Sequence, residues 1–207
     1  MIKIYGYPNT RSDRVNWVLE ELEQEYEYHL VDLTKGDSRS PEYHAINPAG
    51  KIPAMLDDDL ILTESAAIIS YLADKFPEAG LIPAVGSKAR GLYNQWSYFA
   101  LCELEQPLWT ISKHKFAIPA EHRVTGVINT AVWEFQRALE LLSKGLADRD
   151  YILDDGFSGA DILLGHTLIW GIAFKQEISQ DNLKAYVERL QQRPARARAR
   201  HRSSLEQ

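Results

Sequence analysis

The spacing of apolar residues changes period near residue 76, and that change limits what the chain can fold into. Up to Phe76, extended and helical signatures alternate; beyond PEAGLIPAVGSKA every signature is helical. Lys3 to Tyr5 read as a short strand, Val15, Val18, Leu19 and Leu22 recur at helical spacing, and EYHLVDL over 27–33 returns to an extended pattern. After a polar loop, strands near 53–57 and 60–62 are joined by Asp58-Asp59, a hairpin-length connection, and a helix over about 65–76 closes the module. The order β-α-β then β-β-α predicts an α/β sandwich whose helices cover one sheet, with room for a further short helix in the loop.

The Pro/Gly-bearing segment 78–87 marks a domain boundary, so a first domain over 1–77 precedes an all-helical domain over 88–207. In the second, Leu92, Trp96, Phe99, Ala100 and Leu104 predict one long helix over 88–115, bent at Pro107. Further helices fit 121–144, 159–174 and 180–192. Ser158-Gly159-Ala160-Asp161 ahead of Ile162, Leu163 and Leu164 is a capping-box signature, read as folding and not as catalysis. The stretch RPARARARHR, five arginines and His201 within ten residues, reads as a solvated tail without an assigned function.

Composition narrows the classes. A chain of 207 residues is long enough to bury a core. A net charge of −6 lacks the basic footprint of a general nucleic-acid binder. No apolar run reaches the roughly 18 residues of a membrane span, and MIKIYGYP lacks the charged and apolar regions of a signal peptide, which points to the cytoplasm. Cys102 is the single cysteine, so an intrachain disulfide, a CxxC redox pair and a multi-thiolate zinc site are ruled out, and no metal is expected.

Residues 47–69, NPAGKIPAMLDDDLILTESAAII, carry the candidate binding site. A cis bond at Pro53 would turn the N–H and C=O of Ile52 outward, where an extended peptide can pair with them. Glu64 and Ser65 precede a helical run, so the unpaired N–H groups of that helix suit a ligand carboxylate and Glu64 suits an ammonium. The residues alone leave a second reading open: Ile52-Pro53 as an ordinary strand start and Ser65 as a helix cap.

In this order and spacing, NPAGKIPAM, LTESAAIISYL, the linker, the helical remainder and FSGAD make the chain resemble the cytosolic glutathione transferase superfamily, specifically a bacterial and fungal Ser/Thr-type branch, over nearly its full length. The resemblance implies an N-terminal thioredoxin-like domain followed by an all-helical domain. It also implies glutathione as co-substrate, its γ-glutamyl end at Glu64 and Ser65, its cysteine on the Ile52 backbone before Pro53, and Lys51 or Lys35 near its glycine carboxylate. The implied reaction is transfer of the glutathione thiolate to a small hydrophobic electrophile held between the domains, with Tyr7, Tyr98, Trp109 and Phe116 as candidate walls. The implied assembly is a homodimer, with no nucleic-acid or membrane partner.

The family places its thiol-activating residue in strand one or the turn after it, here YGYPNTRSDRVNWVLEEL. Against a turn reading Ser-Arg-x-x-Arg, Thr10 stands at the serine and Arg11 follows; Ser12 is the alternative, and Arg11 or the turn's N–H groups can share the load. Either hydroxyl also suits a helix cap. Two other functions stay open: glutathione-dependent peroxide or disulfide reduction at the same site, and non-catalytic glutathione binding.

Overall fold

Strand β1 (Ile2–Gly6) alternates buried and half-buried residues, as expected of a strand with one face on a core. It pairs in parallel with β2 (Tyr26–Leu30) through the crossover helix α1 (Ser12–Glu21), and antiparallel with β3 (Ala54–Asp57), which pairs with β4 (Leu60–Thr63). The computed structural model describes residues 1–204, and the resulting sheet has the order β2-β1-β3-β4. Helix α2 (Pro41–Ile46) lies in the loop before β3, and α3 (Ser65–Lys75) follows β4. Helices α1 and α3 pack on each other. Ile4, Val15, Val18, Leu19, Met55, Ile68, Ile69 and Leu72 are wholly buried and form the core of this thioredoxin-like layer.

The helical half begins with α4 (Lys88–Phe99), capped by the Ser87 hydroxyl accepting the Arg90 N–H at 3.0 Å. Where one long helix bent at Pro107 is expected, a wide-turn segment, Ala100–Glu105, precedes α5 (Gln106–Ser112), which carries Pro107 in its first turn. Proline lacks an N–H and crowds the preceding turn, and widening that turn accommodates both. Helix α6 (Val127–Leu146) starts later than expected because a short turn at Ala120–His122 intervenes. Helices α7 (Gly159–Ala173) and α8 (Asp181–Gln191) complete this half.

The capping box at the start of α7 forms, and its carboxylate does more than cap. Asp161 is fully buried and receives the Ile152 N–H at 2.8 Å, the Ser158 N–H at 2.8 Å, the Ser158 hydroxyl at 2.9 Å and the Tyr186 hydroxyl at 2.6 Å. Burial pushes this carboxyl above its usual range, and the four donated bonds oppose that shift.

The arginine-rich tail is a correction to the sequence reading. It forms a helix, α9 (Pro194–Ser204), that packs on α1. Ala195 and Ala199 make a small buried stripe, and Arg193 and Arg198 meet acids of α1. Arg193 grips both carboxylate oxygens of Glu21 at 2.5 and 2.7 Å, and Arg198 donates to the Glu20 carboxylate at 2.9 Å and its carbonyl at 2.8 Å. Arg202 lies 4.5 Å over the Tyr26 ring. The chain accordingly divides into residues 1–82 with 191–204, and residues 83–190. The last helix therefore belongs to the first unit and not to the expected 88–207 half; residues 205–207 of that expectation lie outside the described residues.

Candidate active site

Sheet register brings the candidate residues to one end of the first unit. Tyr5 pairs with Ala54 and Ala54 with Thr63, while Gly6 pairs with Leu30. The turn after β1, the residues before β3, those after β4 and those after β2 therefore all leave the sheet at the same edge. That edge collects Thr10, Arg11 and Ser12, Lys51 to Pro53, and Glu64 with Ser65. A loop end of this kind, fixed by a rigid sheet, is where backbone polar groups remain available for a ligand.

In the first turn, Ser12 is fully buried and its hydroxyl is built into the fold. It accepts the Tyr7 N–H at 3.0 Å and lies 2.8 Å from the Tyr7 carbonyl. A side chain at Gly6 would meet the Ser12 Cβ at 2.6 Å, so glycine is what lets α1 start this close to β1. Thr10 is half-exposed; its hydroxyl lies 2.5 Å from the Tyr7 carbonyl and 2.6 Å from the Ser12 hydroxyl. The Tyr7 carbonyl thus has two hydroxyl donors in reach. If Thr10 turns its proton elsewhere, Ser12 still satisfies that carbonyl. Arg11 stands at the N-cap of α1 with helical backbone angles.

The Ile52-Pro53 bond is cis. Lys51 ahead of it is held through its carbonyl, which accepts the Tyr43 hydroxyl and the Asn47 amide, each at 2.6 Å, so α2 fixes the approach to the bond. Among the described residues, neither the N–H nor the C=O of Ile52 joins a ladder or loop hydrogen bond. Lys35, by contrast, is paired with Asp32 at 3.2 Å in the turn after β2, while the Lys51 side chain is exposed.

Glu64 joins β4 to α3 with φ 66° and ψ 110°, a conformation that non-glycine residues rarely hold, and its side chain is exposed. Ser65 is buried at the first turn of α3. Behind it lies a residue that sequence reasoning missed: Arg14, wholly buried, donates from Nη1 to the Ser65 hydroxyl at 3.2 Å. A buried guanidinium under a helix N-terminus reinforces the positive end of the helix and favours an anion there. The signal was present as the second arginine of Thr10-Arg11-Ser12-Asp13-Arg14, at the spacing of Ser-Arg-x-x-Arg.

In the helical unit, Tyr98 and Phe116 are exposed, Trp109 is half-buried, and Phe116 meets Phe174 edge-on at 6.3 Å. His114 accepts the Val124 N–H at 3.1 Å, a structural role. Among the described residues, no group of three or more His, Cys, Asp or Glu side chains is arranged to hold a metal, and no helix is long and apolar enough to cross a membrane.

Family models match in the same two parts. Residues 1–74 match the glutathione S-transferase N-terminal domain and residues 110–194 the glutathione S-transferase C-terminal domain. The chain is 31% identical to the disulfide-bond oxidoreductase YfcG of Escherichia coli K12, covering 96% of this chain and 94% of that protein. It is 30% identical to glutathione S-transferase 3 of Zea mays, covering 94% and 90%. A sphingomonad glutathione S-transferase solved in complex with glutathione superposes with a TM-score of 0.86 at 30% identity, covering 98% of this chain and 99% of that one.

Proposed function

The chain belongs to the glutathione S-transferase family, and from that premise we propose that its sheet edge binds glutathione and ionises the thiol for attack on hydrophobic electrophiles. The observation that carries this reading is the convergence of the cis Ile52-Pro53 bond, the Glu64–Ser65 helix start over buried Arg14, and the Thr10 turn. Each element suits one part of a γ-glutamyl tripeptide. The γ-glutamyl carboxylate fits the α3 N-terminus and Ser65, its ammonium fits Glu64, and the cysteine backbone fits the open polar groups of Ile52. Lys51 is the better-placed cation for the glycine carboxylate, because Lys35 is already paired with Asp32.

A thiol of ordinary pKa near ~8.5 is only a few per cent ionised at neutral pH. Lowering it by about two units requires ~2.7 kcal/mol of preference for the thiolate, which a donated hydrogen bond and a nearby helix start can supply together. Thr10 is the donor: it is half-exposed, and the Tyr7 carbonyl keeps Ser12 when Thr10 turns toward sulfur. The thiolate then forms a carbon–sulfur bond while the electrophile's leaving group departs. Conjugation of glutathione with a chlorodinitrobenzene-type electrophile tests the reading; absence of turnover above the uncatalysed rate, with glutathione bound, would reduce the chain to a binding module.

Glu64 offers a sharper check of the binding half. Glu64→Gly relieves a backbone conformation that costs about 1–3 kcal/mol, so the melting temperature should hold or rise, while glutathione affinity falls at least about tenfold with the loss of the ammonium partner. Unchanged affinity by titration calorimetry would remove Glu64 from the site.

One observation favours a second reading, glutathione-dependent disulfide reduction: the 31% identity with a disulfide-bond oxidoreductase along almost the whole chain. Two glutathione molecules reduce one disulfide to two thiols and leave as glutathione disulfide. Turnover of a small disulfide that exceeds conjugation would favour it. A cytoplasmic homodimer, without a nucleic-acid or membrane partner, completes the proposal. Exposed Leu60 and Ile61 on edge strand β4, and Leu92 in α4, support an apolar self-contact. Sedimentation at twice the 23.6 kDa chain mass is the expected result.

A further inference from the structure

One peptide group at the sheet edge is gripped at its carbonyl end and open at its N–H end. The Lys51 carbonyl accepts the Tyr43 hydroxyl and the Asn47 amide, each at 2.6 Å, and these donors come from α2 and from the residue that ends it. Both side chains are buried and held in place. The Tyr43 ring lies 6.2 Å from that of Tyr5 on β1, which ties the grip to the sheet. The Asn47 N–H donates to the Tyr43 carbonyl at 2.8 Å, its side-chain oxygen accepts the Ala49 N–H at 3.1 Å, and its carbonyl accepts the Gly50 N–H at 2.9 Å. Lys51 therefore reaches the cis bond from a closed loop, with two fixed donors on its carbonyl.

The cis bond is Ile52-Pro53, so the Lys51–Ile52 peptide is trans, and in a planar trans peptide the C=O and N–H point in opposite directions. With the carbonyl turned to α2, the Ile52 N–H faces away from α2. Among the described residues it joins no ladder or loop hydrogen bond. Hydrogen bonds received by a carbonyl draw electron density from the amide nitrogen and make its N–H a stronger donor. We propose that Tyr43 and Asn47 are positioning residues for the ligand's backbone, aiming and polarising the Ile52 N–H that donates to the cysteinyl carbonyl of glutathione. The inference rests on the reading of this edge as a glutathione site, and it adds what sets the strength of the contact at Ile52. Burial pushes the Tyr43 phenol up to about 12, so its hydroxyl remains a donor throughout the neutral range.

Calorimetric titration of the full chain with two ligands separates aiming from packing. One is glutathione; the other is an analogue in which a trans carbon–carbon double bond replaces the cysteinyl–glycine amide. The analogue keeps the thiol, both carboxylates and the extended shape, and lacks the carbonyl that the Ile52 N–H meets. Tyr43→Phe should weaken glutathione about fivefold and the analogue by less than about twofold. Asn47 still satisfies the Lys51 carbonyl in that variant, so the fold holds. In the ligand-free protein the Ile52 amide nitrogen resonance should move upfield in Y43F, the signature of a less polarised peptide group. Equal weakening of the two ligands, an unchanged glutathione affinity, or an Ile52 resonance that does not move would overturn the proposal and leave the glutathione site standing. A wild-type protein that binds the analogue as tightly as glutathione would overturn both the proposal and the pairing at Ile52. One that binds neither ligand would overturn the glutathione reading itself.

Discussion

Thr10→Val slows conjugation at saturating glutathione by at least about tenfold while glutathione affinity stays within about twofold. Valine keeps the β-branched shape of threonine and deletes only the hydroxyl, so packing of the turn changes little. The split between kcat and affinity follows from the geometry: the groups offered to the peptide, at Ile52, Glu64 and Ser65, lie on other segments of the sheet edge. Thr10→Ser, which keeps the hydroxyl, should retain most of the rate. Ser12→Ala behaves differently. Ser12 is buried and bonded to both backbone groups of Tyr7, so its loss should appear first as lower stability, about 1–3 kcal/mol, with a rate loss that follows from a loosened turn. A full rate in Thr10→Val, or a rate lost only in a stably folded Ser12→Ala, would reassign the thiol's partner.

Asp161→Ala lowers the unfolding free energy by about 3–5 kcal/mol. Four donors converge on this carboxylate from Ile152, Ser158 and Tyr186, and the site is sealed from water. Alanine leaves all four without an acceptor in the interior. Against a typical total of about 5–15 kcal/mol, such a loss is a large fraction of what holds the chain folded. Ser158→Ala, which removes one donor and one cap, should cost only about 1 kcal/mol. Chemical denaturation of the two variants measures the ratio; equal effects would mean that Asp161 is no more than a helix cap.

Much of this architecture was legible because it is written in local patterns. The change of period near Phe76, the hairpin at Asp58-Asp59 and the capping box each depend on neighbours within a few residues, and all three appear in the fold. The cis bond at Pro53 was legible for the same reason. The helix α9 was not. Its apolar stripe consists of alanines, too small to stand out among arginines, and its acidic partners Glu20 and Glu21 lie 178 and 172 residues earlier in the chain. Only the fold brings Arg198 and Arg193 to them. Arg14 was hidden in another way: in a linear reading an arginine on a helix is a surface residue, and its burial beneath Ser65, 51 residues on, is a property of the packing of α1 on α3. The division of labour between Thr10 and Ser12 was likewise invisible, since two hydroxyls two residues apart read alike until one is buried and the other half-exposed.

The proposed chemistry depends on Thr10 donating to the glutathione sulfur at this sheet edge. A crystal structure of the protein with glutathione tests it most directly. The expected result is a sulfur about 3 to 3.5 Å from the Thr10 hydroxyl, with the γ-glutamyl carboxylate at Ser65 and the cysteine backbone paired with Ile52. A sulfur resting on Arg11 or on the backbone N–H groups of the turn, with the Thr10 hydroxyl still bonded to the Tyr7 carbonyl, would contradict it.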